Sequence, residues 1–312
     1  MKYQFSFFLA AIMSVLPGLA FAANVIAIYA PNLDFKDGAE RNAYVNKIAK
    51  ELSTKTGMTW EGEAFARAAD FEASKSSIDA VILDADYFSS KGGTFRPVAM
   101  LSSNGQTTRP LKLIAAKGGS DKLYHYRGKR LAVVANLSLA SSFVTASALG
   151  HEAKADEYFS IDEVRDVRSA INALEVGKAD LALVFDGYDS GFKTVYTSSP
   201  VALPIIAINS AKLTGEQAEK LKSALQNINV HTSSFVTGSA AYSAADASAY
   251  RRIASTKKTT TLNYQPIEPE ISDISISSLK FSERNDGIIL DPFQVQYIPT
   301  IAEFDKKLEQ SL

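Results

Sequence analysis

Short apolar runs alternate with helical stripes through the first two thirds of the chain. Val25 to Tyr29 (VIAIY), Ile78 to Leu83 (IDAVIL), Pro97 to Leu101, Leu111 to Ala115, Leu131 to Ala135, Asp180 to Phe185 (DLALVF) and Val201 to Ile208 are each short, apolar and bounded by polar or turn residues. Such runs predict strands buried on both faces. Between them, Tyr44, Ile48 and Leu52 share one face of a helix from about Ala39 to Thr56, ended by Gly57. Ala64 to Lys75 reads as a weaker helix. Val167, Ala170, Ile171 and Leu174 form a further stripe ending at Gly177, and Ala218, Leu221, Leu225 and Ile228 form another. Ser160 with Glu163 and Thr214 with Gln217 have the spacing of capping boxes. Strands alternating with helices predict an α/β fold with parallel, doubly wound sheets.

Beyond His231 the pattern changes. Thr232 to Ala249 is rich in Ser and Ala, and Thr232 to Thr261 is low in large apolar groups, so little core is expected there. Thr256 to Thr261 (TKKTTT) reads as a linker. Ser275 to Phe281 and Gly287 to Leu290 suit a hairpin across Arg284-Asn285-Asp286-Gly287. Thr300 and Glu303 suit the start of a last helix.

The stretch from Arg130 to Gly150 organises the candidate chemistry. It reads as a strand, a polar break at Asn136 to Ser138, and a helix capped by Ser141 or Ser142 and closed by Gly150. A helix starting just after a strand points unpaired N–H groups at the crevice beside the sheet, where they and the helix dipole favour an anion. Ser138, Ser141 and Ser142 then supply hydroxyl donors. Capping alone is the local alternative.

Composition narrows the classes. Lys2, the apolar run Phe5 to Val15 and the small-x-small site Ala20-Phe21-Ala22 mark residues 1–22 as a cleaved export signal. The chain has 312 residues, enough for two domains, and no cysteine, which excludes disulfides, thiolate metal sites and thiol catalysis. A formal net charge of −1 with interspersed signs gives no footprint for nucleic acid. His125, His151 and His231 are scattered, and no nucleophile elbow, zinc-protease, Walker or dinucleotide fingerprint occurs, so neither an enzyme nor a cofactor or metal is expected.

The text IDAVILDADYF (78–88), then RPVAML, LKLIAAKGG, YRGKRLAVVANLSLASS (126–142), DVRSAINALEVGKADLALVF (166–185) and SSPVALPIIAI (198–208) resembles a type 2 periplasmic substrate-binding protein of the phosphonate-binding branch of ABC-transporter receptors. The likeness covers about Val25 to Val230. It implies two lobes, each a doubly wound sheet, with a ligand cleft between them and an extra C-terminal segment. Residues 23–103 and 204–255 would form the first lobe, 104–203 the second, and 256–312 the extension. It also implies that Tyr87 is a cleft tyrosine and that Asp186, with Asp189, stands where such receptors read a cationic group. The turn chemistry of Asp186-Gly187 is the alternative for that pair. Asp84 and Asp86, in a polar strand-end loop, can pair with a ligand amine or simply be solvated, and Tyr29 and Asn32 hold a matching place after the first strand. Arg168 can clamp an anion in bidentate fashion; a surface position on its helix is the alternative.

The loop Ser138-Leu139-Ala140-Ser141-Ser142 has fewer hydroxyls than a phosphonate receptor's and no glycine, and no histidine stands near Val167 and Arg168. Both departures count against a phosphonate. The reading is a monomeric periplasmic receptor that captures a small polar, anionic or zwitterionic solute and presents it to a membrane permease or a membrane sensor. The alternative is an interaction or sensory protein of the same fold that has lost high-affinity solute binding.

Overall fold

The first long helix, α1 (Gly38–Thr56), shows how closely local chemistry is obeyed. Asp37 caps it, its carboxylate accepting from the Glu40 N–H at 2.8 Å. Tyr44, Val45, Ile48, Ala49 and Leu52 are its buried face, and Gly57, at φ +72°, closes it by donating to the Ser53 carbonyl. The computed structural model describes residues 23–135, 139–213, 215–232 and 235–257. The export signal, Ser138, Thr214 and everything after Lys257, including the expected hairpin and last helix, lie outside the described residues.

Around α1 the chain lays down β1 (Asn24–Tyr29), β2 (Trp60–Ala64), α2 (Ala68–Ser74), β3 (Ala80–Leu83), α3 (Ala85–Lys91) and β4 (Phe95–Ser102). Then follow β5 (Thr108–Ala115), a 3-10 turn at Leu123–Tyr126, β6 (Arg130–Val134), α4 (Ala140–Ser147), α5 (Ala155–Tyr158), β7 (Ser160–Val164) and α6 (Val167–Glu175). The remaining elements are β8 (Leu181–Phe185), β9 (Lys193–Ala202), β10 (Ile205–Asn209), α7 (Gly215–Leu225), β11 (Gly238–Ala241), α8 (Ala244–Ala247) and α9 (Ala249–Ser255). No described helix is long and apolar enough to cross a membrane.

Two sheets result. One has the order β11-β4-β10-β3-β1-β2, the other β7-β6-β8-β5-β9. Their centres are parallel, β1 between β2 and β3 and β6 between β7 and β8. Their other pairings are antiparallel: β10 with β3 and β4, β11 with β4, β5 with β8 and β9. The sheets are therefore mixed, not parallel throughout. The fold is α/β with two lobes.

The crossings between sheets run side by side. Residues 103–107 lead out of the first sheet and Leu203-Pro204 lead back. Leu203 donates to the Thr107 carbonyl at 2.9 Å, and Leu101 to that of Pro204 at 2.8 Å. The apolar run 201–208 is thus two strands in two sheets, broken where Pro204 lacks an N–H. A third crossing follows β11. α8 and α9 pack on the second sheet, Thr107 bonds Asp246 at 2.6 Å, and Tyr250 stacks on Phe143 of α4 with ring centroids 4.7 Å apart.

Several local expectations are corrected. Ser160-x-x-Glu163 opens no helix. It lies in edge strand β7, where the pairing of Ile161 with Leu131 and Val164 with Val134 overrides the cap signal. The stretch read as a weak helix does hold one, α2, but it starts later than expected because Ala64 ends β2. The loop after β3 is the helix α3. The stretch after Thr232 does supply core: Phe235, Val236, Ala247, Ala249 and Tyr250 are all buried.

Candidate functional site

The ends of the parallel strands face the crevice between the two sheets, where ligands of open α/β folds bind. At the end of β1 the chain turns through Leu33 N–H to Ala30 C=O at 3.0 Å and sets Asn32 inward. At the end of β3, Asp84 begins α3, its carbonyl accepting from Phe88 at 2.8 Å. Asp84 Oδ2 accepts from both the backbone N–H of Asn32 (3.1 Å) and its Nδ2 (2.9 Å), so the two strand ends are tied together. Asn32, Asp84 and Asp86 are only 3–5% exposed.

From the other sheet, β5 and β8 bring Leu111 opposite Phe185, and β9 contributes Val201 and Ala202. With Ala85 and Tyr250 these residues line a cavity of about 20 Å³. That is room for a group about the size of one water molecule. Tyr250 is 4% exposed, and its hydroxyl makes no hydrogen bond among the described residues. Burial, and then the nearby Asp86, push that hydroxyl well above its ordinary pKa, so it stays neutral. Two acids, an amide and a neutral hydroxyl over apolar walls form a lining suited to a cationic group rather than an anionic one.

The mouth beside this cavity is latched. The Val167 N–H at the start of α6 donates to the Pro31 carbonyl at 2.9 Å. Arg168 clamps Asp34 through Nε (3.0 Å) and Nη2 (2.6 Å), and the Asp34 N–H donates to Tyr188 Oη at 2.6 Å. The loop after β1 is thereby fastened to α6 and to the turn after β8. Burial raises the Asp34 carboxyl above its ordinary value despite the pull of Arg168. Arg168, expected to hold an anion, has its planar fork on Asp34 instead.

Asp186 is placed differently from Asp84 and Asp86. Its two oxygens accept from Arg109 Nη2 (3.1 Å) and Lys112 Nζ (2.7 Å). Lys112 also reaches Asp189 at 2.7 Å, and that bond holds the Asp189 carboxyl below its ordinary value. Arg109 donates to Ser103 Oγ at 2.7 Å and lies over the Phe235 ring, 4.6 Å from its centroid. This network braces the outgoing crossing.

Tyr29 and Tyr87 do not line the cavity. They pack edge to face at 5.0 Å, both against Phe71, and Tyr87 donates to Glu72 at 2.6 Å. Burial, with Asp84 nearby, pushes the Tyr29 hydroxyl up to about 12, and the Tyr87 hydroxyl is raised for the same first reason. Ser141 and Ser142 are not caps. α4 starts at Ala140 with Leu139 at its N-cap and no side-chain cap bond, because burying Ala140, Phe143 and Val144 sets where the helix begins. Ser141 is half-buried and Ser142 exposed, and neither lines the cavity. The structure thus brings together Asn32, Asp84 and Asp86 of the expected residues. It adds Tyr250, whose sequence signal was a single Tyr-x-x-Ile spacing in a Ser/Ala-rich stretch. No group of three or more His, Asp or Glu placed to hold a metal occurs among the described residues.

No protein-family model matches the chain, and no curated protein matches it significantly in sequence. Solved structures do match in shape. A binding protein component of an ABC phosphonate transporter from Pseudomonas aeruginosa aligns with a TM-score of 0.58 at 12% identity, over 74% of this chain and 85% of that one. PhnD1 from Prochlorococcus marinus, in complex with methylphosphonate, aligns with a TM-score of 0.57 at 10% identity, over 74% and 97%. A Xanthomonas citri protein bound to chloride gives 0.54 at 12% identity, over 74% and 96%. The fold is therefore the two-lobed fold of type 2 periplasmic binding proteins. Phosphonate-binding receptors are among the structures that share it.

Proposed function

We propose that this protein is an exported solute receptor of the periplasm, which closes its two lobes on a small polar solute and presents it to a membrane permease or sensor. The first lobe comprises residues 23–103 and 204–241 and the second 104–203; α8 and α9, expected in the first lobe as part of 204–255, pack against the second sheet instead. The observation that carries the reading is the convergence of Asn32, Asp84 and Asp86 from one sheet with Leu111, Phe185 and Val201 from the other around one small cavity. Polar strand ends meeting apolar walls between lobes are the usual make-up of a solute site. Residues 1–22 act as the export signal.

Ligand that binds the folded state raises its stability by mass action. Melting of the purified protein is measured with and without fractionated periplasmic extract, and a stabilising fraction is expected. Failure of every fraction would contradict the receptor reading. It would instead favour an interaction or sensory protein that kept the fold and lost the solute, a second reading that the small cavity supports on its own.

A further inference from the structure

The cleft contains a hydroxyl whose position the fold alone does not explain. Tyr250 reaches it from α9, outside both sheets, on a segment that crosses back from β11 and is held by the stack on Phe143 and by Thr107 on Asp246. The ring has a packing role. The hydroxyl has none: it is buried and makes no hydrogen bond among the described residues. A buried polar group left without a partner destabilises a fold, so a phenylalanine would serve the packing better. Beside it stand Asp86 and Asp84, and the space between them is about the size of one water molecule.

We propose that Tyr250 Oη and the acids Asp86 and Asp84 bind an ammonium group, either a free ammonium ion or the head of a small primary amine. This inference rests on the receptor reading and deepens it by naming the charge of the solute. An ammonium group is close to water in size and carries only donors. A neutral phenolic oxygen accepts one of its N–H bonds, and the acids supply the opposing charge. Phosphonate, sulfonate and carboxylate groups are anionic and meet acids of like charge in the same place. Leu111, Phe185 and Val201 then cover the carbon next to the nitrogen, a contact that a free ammonium ion does not use.

The test is calorimetric titration of the full chain with ammonium chloride, ethylammonium, ethanolamine, methylphosphonate and acetate, repeated on Tyr250→Phe and Asp86→Asn. Ammonium chloride alone giving heat marks the free ion as the ligand, and the organic amines binding more tightly mark the amine head. Either outcome supports the proposal. Tyr250→Phe keeps the ring stack, so it is expected to melt no lower than the wild type while binding roughly tenfold more weakly. Asp86→Asn is expected to weaken binding further. Binding of methylphosphonate or acetate with no binding of any amine overturns the proposal and leaves the receptor reading intact. If no probe binds, the proposal also falls, and stabilisation by periplasmic extract then decides whether the receptor reading falls with it. Amine binding that Tyr250→Phe leaves unchanged overturns the role given to the hydroxyl.

Discussion

Two pairs of acids hold matching places in the two sheets. Asp84 and Asp86 follow β3, while Asp186 and Asp189 follow β8, and both pairs point toward the crossing region. Asp84 and Asp86 are almost fully buried and line the cavity. The Asp186 and Asp189 side chains are 32% and 28% exposed and are bonded by Arg109 and Lys112. The difference comes from the neighbouring strand. β5 runs antiparallel beside β8 and brings Arg109 and Lys112 to its acid end. β10, antiparallel beside β3, presents Ile205 opposite Leu83 and no cation. Equal places in a fold thus take unequal roles according to the strand alongside: one acid pair braces a crossing, and the other lines the space a solute would enter.

The largest expected effect separates the two pairs by stability. Asp84→Ala strips the acceptor from two buried donors of Asn32 and is expected to cost about 3 kcal/mol in urea unfolding. Asp186→Ala leaves Arg109 bonded to Ser103 and Lys112 bonded to Asp189, and is expected to cost about 1 kcal/mol. The reverse order would break the comparison. Lys112→Ala leaves two acids facing each other without their shared cation. A loss of about 1–2 kcal/mol is expected, intermediate between an exposed and a buried pair.

A smaller effect appears in the pH dependence. Asp189 is held below its ordinary pKa of 3.8, first by the Lys112 hydrogen bond. Its contribution is present above that value and is lost as pH falls through the lower folded value. Asp34 has the opposite sign. Its folded pKa is raised by burial, so stability is lost as pH rises from 3.8 through the folded value. Urea midpoints between pH 3 and 7 are expected to show a flatter acid limb for Asp189→Asn, and for Asp34→Asn the removal of a loss on the rising side. A common sign for both variants would contradict the two environments assigned here. The smallest effect belongs to Tyr188→Phe, which removes the acceptor of the Asp34 N–H and is expected to cost about 1 kcal/mol.

Where the sequence was legible, one physical rule acted alone. α1 and α6 have an apolar stripe, an aspartate cap and a glycine end, and all three agree. The buried centres of β1, β3, β5, β6 and β8 are apolar runs too short for a helix. Where two rules competed, the local one lost. Ser160 and Glu163 obey cap spacing, yet β6 offers a partner strand. β9 (KTVYTSSPVA) is largely solvent-facing and β2 (WEGEA) carries a glycine and two acids, so neither shows a buried run. In the candidate site, Asn32, Asp84 and Asp86 were accessible because strand ends meet at the crevice in any such fold. The serines of α4 offer hydroxyls, but burial of Phe143 and Val144 governs how that helix sits. Arg168 looked like an anion clamp because the fork geometry is the same whether its partner is a solute or Asp34. Tyr250 was hidden because its importance comes from a third crossing that no local pattern encodes.

If the lobes close on a solute as proposed, the Asp34–Arg168–Tyr188 latch marks the closed form. The chain has no cysteine, so a pair of engineered ones can be labelled without background. Lys36 lies on the latch loop and Glu175 at the end of α6, and both are exposed. Spin labels on Lys36→Cys and Glu175→Cys report the width of the mouth through their distance distribution. A narrow, short distance is expected with the stabilising periplasmic fraction or with a binding amine, a longer and broader one without it, and a shift toward the long form in Arg168→Ala. A distribution that is the same with and without every fraction and amine, and that Arg168→Ala leaves unmoved, would contradict that closure.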